Sequence, residues 1–261
     1  MMDFFVWDID PLFISFGFLK IRWYGLMFAS AFISSYVLMS WMYQRENQNT
    51  EEVDDLLWYV AIGTIVGARL GHCLFYDPAY YLGHPLKILA FWEGGLASHG
   101  GIIGIVFGLY LYQRRVTQSY AWFLDRVAVV CALGGTFIRL GNFFNSEIVG
   151  IPATVPWAVV FRRIDLLPRH PVQLYESISY FFIFLLLLTL YITVKDKIRP
   201  GVIFATSLVA VFTARFFLEF VKTQQSGYSH EFWMSTGQWL SIPFLLAGLC
   251  YIVFSCYRKA E

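Results

Sequence analysis

The polar chemistry of this chain gathers in one short stretch, Arg139-Leu-Gly-Asn-Phe-Phe-Asn-Ser-Glu147, closed by Gly150. An arginine, two asparagines and a glutamate follow directly on the apolar, glycine-bearing run Val127–Ile138. Charge at the edge of a hydrocarbon layer is costly unless it is paired or wet, so such a cluster is a functional-site hypothesis by default. A guanidinium fork suits bidentate capture of a phosphate, and the amides of Asn142 and Asn145 offer neutral donors to a phosphate or to glycerol hydroxyls. An arginine that merely snorkels from a helix end needs no such company.

Arg215 and Glu219 stand four apart and therefore share one face of a helix. Two readings are open for them. They neutralise each other, or Arg215 faces Arg139 across a cavity as a second cation, and two arginines together call for an anion such as a lipid headgroup. His99, in Ser98-His-Gly-Gly101, has a reference pKa of ~6.5 and can take a proton near neutrality. The glycines beside it permit close approach of a substrate or another backbone. A purely structural histidine is the alternative. Tyr24 reads equally as an interface anchor or as a hydroxyl donor to a phosphate. Cys73, Cys131, Cys250 and Cys256 lie in or beside apolar runs without CxxC spacing, so they read as small buried hydrophobes. No metal site and no cofactor are expected.

The elements that must carry these residues follow from hydropathy. The 261 residues are 58% hydrophobic, 20% aromatic and 14% charged, against about a quarter charged in ordinary soluble domains. The apolar excess lies in long charge-poor runs of about 20 residues, the length of a membrane span. These runs are Trp23–Tyr43, Leu56–Tyr76, Leu96–Tyr112, Tyr120–Ile138, Ser177–Val194, Gly201–Val221 and Gly237–Tyr257. The expectation is an all-α polytopic membrane protein of seven transmembrane helices, a single domain over residues 1–261. Residues 146–173, with Pro152, Pro156, Pro168 and Pro171 and the β-prone Trp157–Phe161, are expected to form a small extramembrane lobe with a strand or two. The segments Phe4–Phe18 and Tyr76–Trp92 read as interfacial.

Basic residues set the orientation. Arg114 and Arg115, the loop Lys195–Arg199, and Arg258 with Lys259 fall on one side of a seven-span chain, which makes that side and the C-terminus cytoplasmic and puts the N-terminus outside. The acidic Asp3, Asp8 and Asp10 exclude a basic-headed signal peptide. A net charge of +1 without a Lys/Arg tract excludes nucleic acid as an expected partner. Gly63/Gly67/Gly71 and Gly100/Gly104/Gly108 place glycine on one helix face at every turn, the pattern of close helix packing rather than of a phosphate loop.

Together, Trp23-Tyr-Gly25, Ser98-His-Gly-Gly101, Arg139–Glu147, Leu167-Pro-Arg-His-Pro-Val-Gln-Leu-Tyr-Glu176 and Ser235-Thr-Gly-Gln238 resemble, in order along nearly the whole chain, the bacterial prolipoprotein diacylglyceryl transferases. The resemblance implies a bacterial inner-membrane enzyme. It would take the diacylglyceryl group from phosphatidylglycerol, place it as a thioether on the lipobox cysteine of a prolipoprotein, and release glycerol phosphate. Carried over by position, the site residues are Tyr24, His99, Arg139, Asn142, Glu147, Gly150, Arg215 and Glu219. Arg139, Arg215, Asn142, Glu147, Gly150 and Glu219 would bind the phosphatidylglycerol headgroup, and His99, Arg139, Arg215, Tyr24 and Asn142 would serve the chemistry. The chain departs from the family pattern at Ile138 and Ser146, where glycine is usual, and at Phe144, Thr236, Ala68 and Lys222. Glycine admits backbone conformations that Ile138 and Ser146 resist. A transporter or channel for an anionic solute is the rival reading, since buried arginines also line pathways.

Overall fold

An apolar run crosses a bilayer only if its backbone N–H and C=O groups are satisfied within the segment, as they are in a helix. The computed structural model describes residues 4–17, 19–75, 78–90, 97–223 and 234–257, and for Leu19, Ser98, His99 and Thr236 the backbone alone. Its helices are α1 (Trp23–Arg45), α2 (Glu51–Phe75), α3 (Pro78–Gly83), α4 (Ser98–Gln113), α5 (Tyr120–Phe144), α6 (Val172–Val194), α7 (Val202–Leu218) and α8 (Thr236–Tyr257). The chain is predominantly helical, as hydropathy predicts, but the count of seven spans is not reproduced. Six helices among the described residues are long and apolar enough to cross a membrane: α1, α2, α5, α6, α7 with the 3-10 turn that follows it, and α8. The sixteen residues of α4 rise only about 24 Å at 1.5 Å each, short of a hydrocarbon core of about 30 Å. The expected Tyr76, Trp92, Leu96, Arg258 and Lys259 lie outside the described residues.

Hydropathy also misplaces helix ends. The helix expected to stop at Ile138 continues to Phe144, so Arg139 and Asn142 are helical residues. Hydrogen bonding carries a helix past its apolar stretch until a capping motif stops it.

By internal contacts the chain divides into two compact units, residues 39–123 and residues 1–38 with 124–261. In the first, α2 and α4 meet backbone to backbone. A Cβ at Gly104 would lie 1.9 Å from the Gly63 carbonyl oxygen, and one at Gly67 would lie 2.3 Å from that of Gly100. The glycine face is therefore a packing surface. Arg69, buried in α2, donates through Nε to the Ile88 carbonyl at 3.0 Å and through a terminal nitrogen to that of Lys87 at 2.5 Å. It thereby fixes the 3-10 turn Pro85–Leu89.

The second unit adds short strands to the helices. β1 (Phe5–Trp7) pairs in parallel with β4 (Val159–Phe161), which pairs antiparallel with β5 (Pro168–Arg169). β2 (Leu12–Phe16) and β3 (Leu19–Arg22) form a hairpin. The expected strands near Trp157–Phe161 are thus present, completed by a partner from the chain start. The N-terminal stretch, expected only as an interfacial segment, is extended because β-branched and aromatic residues fit a pleated, half-buried surface. Trp7, Val159 and Phe161 bury against Phe143 and Val149, with the Trp7 and Phe143 rings 4.2 Å apart. That small core clamps the end of α5, which carries the polar stretch.

Candidate active site

The site grows from the last two turns of α5. Arg139 and Asn142, three apart, lie on one face, and an Arg139 terminal nitrogen donates to Asn142 Oδ1 at 3.4 Å. Asn142 Nδ2 donates to Glu147 Oε2 at 3.2 Å, and Asn145 Nδ2 donates to Glu147 Oε1 at 3.0 Å. What places Glu147 there is the helix stop. The Glu147 N–H bonds the Asn142 carbonyl at 2.9 Å and the Ser146 N–H bonds that of Phe143 at 3.0 Å. These are the two bonds of a Schellman cap, whose penultimate residue sits in the left-handed region. Ser146 has φ 55° and Ile148 φ 58°. The backbone therefore adopts a shape for which glycine is the default even though a serine stands there, and a β-branched residue two positions on does the same at a steric cost.

Helix α6 completes the back of the site. Gln173, fully buried, donates through Nε2 to the Glu147 carbonyl at 2.6 Å. One turn on, the buried Glu176 meets Arg139 Nε through Oε2 at 3.1 Å and Lys222 Nζ through Oε1 at 3.2 Å. Ser177 donates to the Thr136 carbonyl at 2.9 Å, so three consecutive contacts lock this face of α6 to α5.

Gly150 lies where three segments cross. Its N–H bonds the His170 carbonyl at 3.0 Å, Arg169 donates to its carbonyl at 3.0 Å, and it forms a bridge with Lys222. A Cβ there would stand 2.5 Å from the His170 oxygen and 2.7 Å from that of Val221. Arg169 is held in turn by Asp165, to which Nε donates at 3.1 Å. That hydrogen bond keeps the Asp165 carboxyl below the ordinary carboxylate range.

The remaining candidates are placed less centrally. The Tyr24 ring packs on Gly141, where a Cβ would lie 2.9 Å from it, and its hydroxyl has no hydrogen-bond partner among the described residues. That hydroxyl lies within the electrostatic reach of Glu147 and Arg139. Arg215 and Glu219 do not form the mutual ion pair that their spacing allows, nor does either bond Arg139, among the described residues. The Glu219 carboxyl instead lies against Gly237, where a Cβ would stand 2.4 Å from it. This puts a negative charge at the N-terminal turn of α8, a favourable position beside the helix dipole. His99 falls on the first turn of α4, in the other compact unit.

Arg139, Asn142 and Glu147 are thus brought together directly, Gly150 joins them through Lys222 and Glu176, and Tyr24 joins through Gly141. Glu176, Lys222 and Gln173 were not singled out from sequence as site residues. A charged residue inside an apolar helix was the available signal for Glu176, which the start expected at Ser177 left outside the span.

A family model for prolipoprotein diacylglyceryl transferases matches residues 11–254. The chain belongs to that family. It is 51% identical to the phosphatidylglycerol–prolipoprotein diacylglyceryl transferase of Tolumonas auensis, over 98% of this chain and 99% of the relative. It is 49% identical to that of Chloroherpeton thalassium, over 98% and 95%, and 39% identical to that of Nitrosomonas europaea, over 96% and 91%.

Proposed function

We propose that this chain transfers the diacylglyceryl group of phosphatidylglycerol to the lipobox cysteine thiol of prolipoproteins, in the bacterial inner membrane. In this reaction the sulfur attacks the glycerol carbon that bears the phosphate. A C–S bond forms, the C–O bond breaks, and its electron pair leaves on the phosphate oxygen of glycerol phosphate. The thiol proton goes to a base, for which His99 is the candidate, since a free thiol has a pKa near ~8.5 and reacts as its thiolate. The observation that carries the reading is the Arg139 guanidinium, engaged by Glu176 through Nε and by Asn142 on one terminal nitrogen, in a helical protein with membrane-length spans.

Charge grows on the phosphate oxygen as the bond breaks, and cations already in place favour that transition state. Arg139 is assigned that role, with Arg215 as a second cation and Asn142 and Tyr24 as neutral donors. Glu147 and Glu219 accept from the headgroup glycerol or orient the cations. Gly150 contributes by letting three segments cross without a side chain between them. Residues 146–173 would form the outer lobe, with the N-terminus outside and the C-terminus cytoplasmic, as the basic loops indicate.

The test incubates the purified chain in detergent with headgroup-labelled phosphatidylglycerol and a lipobox peptide. Label is expected in glycerol phosphate, with the peptide gaining a diacylglyceryl mass. Absence of both products would overturn the proposal.

A further inference from the structure

Glu176 lies behind the arginine, and its geometry gives it a task of its own. Its side chain is 3% exposed, against 16% for Arg139 and 6% for Lys222. A carboxylate that deep does not face an entering lipid. It meets Arg139 at Nε, 3.1 Å away. The contact is an ion pair without an aligned hydrogen bond, since Glu176 Oε2 has no hydrogen-bond partner among the described residues, and it holds the guanidinium by charge. One terminal nitrogen reaches Asn142 Oδ1 at 3.4 Å, and the other has no protein partner among the described residues. The second carboxylate oxygen is taken by Lys222 Nζ at 3.2 Å. Lys222 is fixed by its backbone as well: the chain on either side of it is bonded to Ile151 at 3.0 Å and to Val149 at 3.3 Å.

We infer that Glu176 is a positioning residue for the transfer reaction, orienting Arg139 toward the leaving phosphate while tying Lys222 into the same anion site as a further cation. The inference rests on the transfer reading above. Arg139 and Lys222 stand against two carboxylates, Glu176 directly and Glu147 through Asn142. The phosphate monoester that leaves carries nearly two negative charges near neutrality. Cations already held in place gain attraction as charge grows on the leaving oxygen, which is stabilisation specific to the transition state.

The sign of the mutant effect follows. Glu176→Gln keeps the shape, loses the ion pair that holds the guanidinium and removes one negative charge beside the two cations. It is expected to lower kcat by about 100-fold while glycerol phosphate inhibits it at least as well as it inhibits the wild type. Lys222→Met is expected to lower kcat by about tenfold, the scale of one weakened charge contact, and Lys222→Arg is expected to lose less. If Glu176 acts through Arg139, Glu176→Gln combined with Arg139→Lys is no slower than Arg139→Lys alone, because residues that act as a unit are not additive.

Each variant is purified in detergent and its turnover normalised to the folded fraction measured by thermal melting, with Glu176→Asp as a second substitution should Glu176→Gln fold poorly. Additive losses in the double variant would overturn the inference, as would weaker glycerol phosphate inhibition in step with the fall in kcat, or a wild-type rate in Glu176→Gln. Wild-type turnover on phosphatidylglycerol separates the two proposals. If the wild type is inactive, the transfer reading fails. If it is active and the Glu176 variants behave in one of these ways, only the positioning role fails.

Discussion

Helix α5 carries charge near both ends, and the two ends treat it differently. Near its start, Asp125 and Arg126 are 3% and 6% exposed. Asp125 accepts from the Gly201 N–H at 2.7 Å and the Phe204 N–H at 2.9 Å, capping the first turn of α7 from a neighbouring helix. The Arg126 guanidinium lies over the Tyr191 ring at 5.7 Å. Near the other end, Arg139, 16% exposed, pairs with Glu176 and bonds Asn142, and one of its terminal nitrogens has no partner among the described residues. The start uses its buried charges to complete the fold, whereas the other end keeps donor capacity over, the difference on which the proposed role of Arg139 rests.

The largest expected effect sharpens that contrast. Arg139→Ala should lower glycerol phosphate release by about 100- to 1,000-fold, the scale for losing one preorganised donor to developing charge, while Glu176 keeps Lys222 as a partner. Asp125→Ala should do the reverse. It leaves two N–H groups unsatisfied at about 1–3 kcal/mol each, read as a lower melting temperature, with turnover per folded molecule retained. A catalytic defect in Asp125→Ala without loss of stability would break the comparison. Next comes Gly150→Ala. Its Cβ has no room beside His170 and Val221, and overpacking of this kind costs about 1–3 kcal/mol. The Lys222 segment must shift, so activity should fall along with stability.

Smaller effects lie in the turn that carries Glu147. Ser146→Gly relieves a left-handed residue and should stabilise the protein by about 1 kcal/mol, seen as a higher melting temperature with activity retained. Smallest is the effect of Asp165. Its folded pKa is lowered by the Arg169 hydrogen bond, so its contribution is full above the unfolded value of about 3.9 and fades as pH falls through the folded value. The pair is partly exposed, which limits it to less than about 1 kcal/mol. Asp165→Asn should therefore melt slightly lower than the wild type at neutral pH, with the difference vanishing in acid.

The sequence shows where the helices lie because membrane-length apolar runs leave few alternatives, and it shows Arg139–Glu147 because polar groups are out of place there. The glycine face of α2 and α4 was legible for the same reason, as a strict spacing with one physical meaning. What was hidden is non-local. The Lys222–Glu176 pair spans 46 residues, and the parallel strand beside β4 comes from the start of the chain. Spacing gave Arg215 and Glu219 to each other, whereas the fold sends Glu219 to α8. Ser146 misleads in a different way, because its identity argues against the left-handed turn that packing on both sides imposes.

The crossing at Gly150 also orders events in time. Thr223 bonds the Val149 carbonyl across 74 residues, and the same crossing joins Gly150 to His170 and Lys222. Such contacts close long loops and form late, after the local helices. A chain still emerging from the ribosome can hold α5 and its polar turn, but Glu176 lacks its Lys222 partner until the segment after α7 has been made. The polar cluster beside Arg139 is therefore completed only near the end of the chain's own synthesis.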